Sequence, residues 1–296
     1  VWLVLAPRDY LSTFLKIGVI VALAIGIVIA SPEVTSLKMP ALTQFASSGD
    51  GPVWKGGLFP FLFITIACGA VSGFHALISS GTSPKLLANE THIRYIGYGG
   101  MLMESFVAIM ALVAASIIEP GVYFAMNSPA AAIGTSAVDV AAKVSSWGFV
   151  VTPEMLTQTA QNIGEGTIIS RAGGAPTLAV GIAVILHDAL PGGDAMMAFW
   201  YHFAILFEAL FILTAVDAGT RAGRFMLQDL LGNFIPPLRK TDSWGANVLG
   251  SAGCVALWGD SVYQDVVDAR GGINTVWPLC GIASQMLAGI ALVLCT

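Results

Sequence analysis

A chain of 296 residues with 56% hydrophobic residues, 10% charged residues and a mean hydropathy of +0.79 falls far short of the charge that covers a soluble surface, usually about 25%. Its net charge of −5 and its lack of any Lys/Arg run exclude nucleic acid as an expected partner. The sequence carries no GxSxG, P-loop or HExxH and no metal-spaced Cys/His cluster, so neither an enzyme nor a bound cofactor or metal is expected. What remains is a chain that uses the lipid bilayer as its solvent. The expected class is an all-α polytopic membrane protein, a helical bundle forming one transmembrane domain over residues 1–296.

A bilayer core about 30 Å thick takes about 20 apolar residues per helix. The first stretch that qualifies is 14–30, with Lys16 near its start. The second, 58–80, carries the strongest polar pattern of the chain. Cys68, Ser72, His75, Ser79 and Thr82 recur at helical steps of four and three, so one face is a small-polar stripe centred on a histidine. Ser80 adjoins that stripe, and Gly81 with Pro84 ends or breaks the helix just past it. Broken helices expose backbone dipoles that can hold ions, which makes Ser72, His75, Ser79, Ser80, Gly81 and Thr82 the candidate substrate site. The same residues also read as ordinary helix-packing groups with a satisfied structural histidine.

The third stretch, 97–118, holds Glu104 on a face shared with Gly97, Gly100, Ala108 and Ala111. Such a face is expected to pack closely, placing the carboxylate inside the bundle as a proton carrier or as a permanently paired strut. The fourth, 195–216, contains Glu208, a second proton or ion candidate sharing a face with Tyr201, Ala204, Phe211 and Ala215. Just beyond it, Asp217 reads as a cation ligand or as the partner of Arg221. His202, near the outer end, is not expected to take part. An amphipathic continuation, GTRAGRFMLQDLLGNFIPPL, is expected to stop at Pro236 and Pro237. The last two stretches are 244–262 and 276–296.

The apolar segment 176–190 is about 15 residues long, short of the usual minimum of about 17. Charge decides how to count it. Without it as a crossing, Arg8 and Lys16, then Lys85 and Arg94, then Arg221, Arg224, Arg239 and Lys240 all fall on one side, which the positive-inside rule makes cytoplasmic. The other side then holds 119–194, where Lys143 and Arg171 face Glu119, Asp139, Glu154, Glu165, Asp188 and Asp194. Six crossings with a long external loop at 119–194 are therefore expected, the 176–190 segment dipping back into the protein. Within that loop SRAGGAPT sets a lone Arg171 before two glycines and a proline. It reads as a plain turn or as part of an outer gate for an anionic substrate.

Cys68, Cys254, Cys280 and Cys295 lie in or beside apolar stretches with no CxxC pair and read as small buried hydrophobes. The NET sequon at Asn89 falls in an expected cytoplasmic loop and reads as accidental. With no initiator Met and an apolar end, the sequence is expected to be an internal piece of a longer membrane protein. Ionisable groups in apolar spans cost roughly 2.5–3.5 kcal/mol each on insertion scales and usually line a path or a protein interior, so the expected function is membrane transport. A membrane-embedded sensor or receptor subunit stays open as a reading of another class.

Several long motifs carry a family resemblance: APRDYLSTFLKIG, FPFLFITIACGAVSGFHALISSGTSPKLLANE, IGYGGMLMESFVAIMALVAA, PGVYFAMNSP, ISRAGGAPTLAVG, FWYHFAILFEALFILTAVDAGTRAGRFMLQDLLG and GGINTVWPLCGIASQMLAG. Together they resemble the bacterial carbon starvation protein A family over nearly the whole chain, departing mainly near 31–55 and 130–165. The resemblance implies a multi-pass inner-membrane protein for nutrient uptake during carbon starvation. It implies proton-coupled import of pyruvate or a similar small carboxylate, or else peptide transport, with protons and the small molecule as partners. It also implies part of an amino acid/polyamine/organocation-type inverted-repeat core. In that core 58–80 would be the second broken helix, and Lys16 would lie on the helix that in some proton-coupled relatives supplies a lysine in place of a sodium ion.

Overall fold

The computed structural model describes residues 5–32, 36–52, 56–59, 77–79, 81, 83–171, 173–190, 192–193, 195–240, 243–267, 282–283, 285–287, 289–290 and 293–294. Among them there is no strand, and the regular structure is helical. Among the described residues three helices are long and apolar enough to cross a membrane: Pro7–Ile29, His92–Ser116 and Met196–Gly232. The chain is thus an all-α membrane protein of the polytopic class. It divides into two compact units, one from Val1–Gly57 and Arg94–Ile212 and the other from Leu58–Ile93 and Leu213–Thr296.

The first unit is built around α1 (Leu5–Ile29), most of α4 (His92–Ser116) and the first half of α10 (Ala195–Gly232). Helix α1 begins nine residues before the apolar stretch does. Arg8 pairs with Asp9 at 2.7 Å, and the Ser12 and Thr13 hydroxyls donate to the Asp9 carbonyl, so polar side chains carry the first turns. A short helix α2 (Phe45–Ser48) follows, and its segment closes the end of α4. The Lys38 and Met39 N–H groups both donate to the Ser116 carbonyl, an orphan acceptor of the last turn. Lys38 also pairs with Glu119 at 2.8 Å, and Phe45 packs its ring on Phe124, Trp147 and Phe149.

The stretch expected as an external loop is itself helical. It contains α5 (Pro120–Asn127), α6 (Ala130–Ile133), α7 (Ala137–Ser145), α8 (Pro153–Asn162) and α9 (Gly174–Ala189). Local chemistry starts and stops them. Pro120 and Pro153 occupy first-turn positions, and Ser136 and Thr152 accept from the N–H groups of Asp139 and Met155. Helix α8 ends in a Schellman motif: the Glu165 N–H donates to Ala160 O, the Gly164 N–H to Gln161 O, and Gly164 takes φ 75°.

Helix α9, the apolar 176–190 segment, is the most buried helix of this unit, with Ala179, Ile182, Ala183 and Ile185 wholly covered. Its 16 residues reach roughly 24 Å at 1.5 Å per residue. It lies against the last turns of its neighbours. Gly26 of α1 faces Ile185 and Leu186, Gly181 faces Ala114 of α4, and the Ser31 N–H donates to Asp188 Oδ2. Outward, α1, α4 and α10 show Val28, Leu102, Leu112 and Leu206 as exposed apolar side chains, the surface that lipid or further helices cover.

The second unit pairs the rest of α10 with α11 (Trp244–Val267), next to α3 (Ser83–Leu86) and a 3₁₀ turn, Pro236–Arg239. As expected, α10 runs on past its apolar stretch to Gly232 and stops before the two prolines. Glycines permit the crossing: a Cβ at Gly223 would meet Cys254 Sγ at 2.8 Å, at Gly250 the Gln228 Cγ at 2.9 Å and at Gly253 the Leu227 Cδ2 at 3.1 Å. Lys85 and Arg224 both stack on the Phe225 ring, at 3.9 and 4.6 Å, so two of the bases placed on the cytoplasmic side converge.

Candidate functional site

The most organised polar constellation of the first unit joins the end of α8, the start of α9 and the N-terminal part of α10. Arg171 Nη2 donates to Glu165 Oε2 at 2.8 Å beside Tyr201, a residue 1% exposed. Both ends of the ion pair are presented by fixed backbone. The Schellman turn places Glu165. On the other side Ser170 adopts φ 53°, the one positive φ outside glycine among the described residues, and its N–H donates to Ala125 O. Gly164 lies over α10, where an added Cβ would meet Ala198 at 3.4 Å and His202 at 3.5 Å.

Beside it Asn127, at the end of α5, ties three elements together. Its Nδ2 donates to Thr177 Oγ1 at 2.9 Å and to Tyr123 O at 3.0 Å, while Oδ1 accepts from the Gly173 N–H at 3.3 Å. Gly173 precedes α9 with φ 127°, a conformation suited to glycine. The Ser128 and Ser170 hydroxyls nearby in the chain are buried and find no partner among the described residues.

The residues singled out from sequence fall unevenly on this framework. Ser72, His75, Ser80 and Thr82 lie outside the described residues, Ser79 and Gly81 are helical, and Pro84 lies inside α3, in the first turn where proline is tolerated, so the expected stop at Gly81 and Pro84 is not found among the described residues. Glu104 is exposed, and a Cβ at Gly97 or Gly100 would meet nothing within 4 Å. The close packing expected for that face is therefore not provided by the described residues, because the helices of this unit gather at the far end of α4, around Met110 and Ala114. Glu208 is half-buried on the face of α10 that buries Tyr201, Ala204 and Phe207. That face opens at Phe211, where Lys16 of α1 reaches over the ring with Nζ 4.9 Å from its centroid. Lys16 thus meets α10 at Phe211, three residues beyond Glu208. Asp217 holds Arg221 Nη2 at 2.6 Å, the pairing reading rather than an open carboxylate. The His202 Nδ1 lies 2.8 Å from Ala198 O. No group of three or more His, Cys, Asp or Glu that could hold a metal ion occurs among the described residues.

Sequence reasoning missed the Glu165–Tyr201 side of Arg171 and the Asn127–Thr177 bond. The first had a partial signal, an acid six residues before the only base of SRAGGAPT; the second joins residues 50 apart and has no local signature.

Ionisable residues on long apolar helices, with a buried helical layer against one set of helix ends, define a polytopic α-helical membrane protein. Comparison with known sequences names the family. The chain matches the family described as Carbon starvation protein CstA over residues 1–296, and it belongs to that family. It is 70% identical to the Peptide transporter CstA of Escherichia coli (strain K12), covering 100% of this chain and 42% of the relative. It is 66% identical to the Pyruvate/proton symporter BtsT of the same organism, covering 100% and 44%. The Peptide transporter CstA of Bacillus subtilis (strain 168) is 42% identical over 99% of this chain and 45% of its own length. The chain thus spans less than half the length of these curated relatives. No solved structure matches it.

Proposed function

We propose that this chain belongs to a secondary active transporter of the bacterial inner membrane, a multi-pass protein that imports pyruvate or a similar small carboxylate together with protons. The observation that carries this reading is the 66% identity, over all of this chain, with a relative named as a pyruvate/proton symporter. The chemistry the reading needs is available. Glu104 and Glu208 sit on helices otherwise apolar enough to cross a membrane, and a carboxyl can cross as a neutral acid and release its proton as an anion. Lys16, which meets α10 three residues beyond Glu208, and Asp217, paired with Arg221, are the further coupling candidates. The proposed substrate site is the stripe Ser72, His75, Ser79, Ser80, Gly81 and Thr82.

Six crossings with 119–194 outside remain the proposed topology, in a single transmembrane domain. Its support in the first unit is geometric: α9 meets the C-terminal ends of α1 and α4, and the 164 turn meets the N-terminal part of α10. Those are the helix ends that the charge count puts outside. Peptide uptake is the second reading, favoured by the 70% identity with a relative named as a peptide transporter. Uptake of labelled pyruvate and labelled dipeptides into vesicles from cells expressing the protein at its full natural length separates the two. Accumulation of pyruvate that collapses with the proton gradient is the expected result, and accumulation of neither substrate would end the transport reading.

A further inference from the structure

Arg171 and Lys143 are the Lys and Arg residues of the acidic stretch 119–194. Lys143 stands exposed in the last turn of α7, and the nearby Lys38 is engaged with Glu119 at 2.8 Å. A guanidinium offers five N–H donors in a fixed fork, the geometry that grips a carboxylate with two parallel bonds. In this structure Glu165 uses one of them, through Nη2 alone, and Tyr201 lies beside the pair. The Arg171 side chain keeps 39% of its surface exposed and Glu165 22%, so the fork is reachable from the aqueous side while its far edge rests on α10. The Ser170 hydroxyl, next in the chain, is buried with no partner among the described residues.

The backbone effort spent here is unusual for a plain turn. A serine held at φ 53° and a Schellman turn six residues before Arg171 together fix both the acid and the base. An ordinary exposed ion pair contributes little stability and needs no such scaffold. A scaffold that presents a guanidinium, a buried phenol and an internal carboxylate makes sense when the internal carboxylate stands in for another one.

We infer that Arg171, held beside Tyr201 by the turns on either side of it, is an outward-facing carboxylate-receiving site in which Glu165 holds the place that a substrate carboxylate takes by displacing it. The ligand class is the small monocarboxylate, and the carboxylate terminus of a short peptide presents the same group. The inference rests on the transport reading for its biological use, but the site itself is a matter of binding. Glu165 acts as an internal competitor: it keeps the fork occupied when substrate is scarce and sets the concentration at which substrate enters.

The test is binding of sodium pyruvate, with pyruvamide as the uncharged control, to the purified full-length protein by calorimetric titration. Removing one charge-assisted bond is worth roughly 10- to 100-fold in affinity, so Arg171→Gln is expected to weaken pyruvate binding by about that factor and Arg171→Lys by less. Glu165→Gln is expected to move the other way and tighten it several-fold, the sign that a merely structural pair would not give. Pyruvamide is expected to be indifferent to all three changes. Should the Arg171 variants fail to reach the membrane, an arginine-selective dicarbonyl reagent on the wild-type protein replaces them, with pyruvate expected to shield Arg171 from modification as read by peptide mass. Unchanged affinity in Arg171→Gln, weaker binding in Glu165→Gln, or no shielding would overturn the site. The outcomes also separate the two readings. Pyruvate binding that depends on Arg171 without uptake in vesicles would keep the site and remove the transport reading, whereas uptake with an unaltered half-saturation in Arg171→Gln would do the reverse.

Discussion

Gly181 of α9 lies so close to Ala114 of α4 that a single added methyl would collide with the Ala114 carbonyl, whose carbon is 2.6 Å from the ideal Cβ position. Neither side can yield easily, since the obstacle is helix backbone and Gly181 sits among residues that are wholly buried. Gly181→Ala is therefore expected to cost about 1–3 kcal/mol, the usual range for overpacking. Gly166→Ala, where nothing lies within 4 Å, is expected to be near neutral. Thermal unfolding of the two purified variants in the same detergent makes the comparison, and equal melting temperatures would mean that α4 and α9 are not in this contact.

Asn127 offers a second stability test, because one side chain satisfies groups on two other elements. Asn127→Ala leaves the Gly173 N–H and the Thr177 hydroxyl without this partner and is expected to cost about 1–3 kcal/mol. Thr177→Ala is expected to cost about 0.5–1.5 kcal/mol, since its hydroxyl also has Gly173 O within reach at 3.2 Å. The double variant should fall short of the sum, as shared contacts do. Strict additivity in the melting data would show that the two residues do not communicate.

These two contacts mark the limit of what the sequence made legible. The extent of α10 was readable, because an apolar stretch runs into an amphipathic one and two prolines forbid continuation. The start of α1 was not, because its first turns are polar and held by Arg8, Asp9 and the hydroxyls of Ser12 and Thr13 rather than by apolar periodicity. The helices of the cap carried usable signals, Ser136 three residues before Asp139 and Thr152 before Pro153 and Glu154, yet they are too short and too polar to register in a search for membrane spans. Gly181 announces small volume but not which backbone needs it. Arg171 stands out as a lone base in acidic surroundings, whereas its contact with Tyr201 depends on how the cap folds back on α10.

Topology is open to chemical labelling. A cysteine at the exposed Gln158 of α8 is expected to react with a membrane-impermeant thiol reagent in intact spheroplasts, and one at Leu238 in the 3₁₀ turn is not. Protection of both, or the opposite pattern, would dismantle the six-crossing arrangement and with it the external placement of α9.

Coupling is expected to reside in a carboxylate that can ionise. Glu208→Gln and Glu104→Gln keep shape and hydrogen bonding but cannot carry a proton. The variant at the coupling position should lose gradient-driven accumulation while still exchanging labelled for unlabelled substrate. Glu208 is the stronger choice, since it is half-buried beside Tyr201 and Ala204 and three residues from Phe211, where Lys16 meets α10. Full accumulation with wild-type pH dependence in both variants would leave the two acids as packing groups.

The stripe in the second apolar stretch makes the last expectation. If Ser72, His75, Ser79 and Thr82 face a substrate carboxylate, then His75 supplies charge or a hydrogen bond according to pH, while Ser79 supplies a neutral hydrogen bond only. A neutral bond is worth about 0.5–1.5 kcal/mol, a few-fold in affinity, and a charged one about 1.5–3 kcal/mol. His75→Gln is thus expected to raise the concentration for half-maximal uptake more than Ser79→Ala does, and the difference should widen as the pH is lowered and the wild-type imidazole gains its proton. Initial uptake rates across substrate concentration at two pH values, in variants matched for membrane amount, measure both effects. Unchanged half-saturation in the two variants would make the stripe a helix-packing face. The carboxylate would then have to be received elsewhere, with Arg171 as the next candidate.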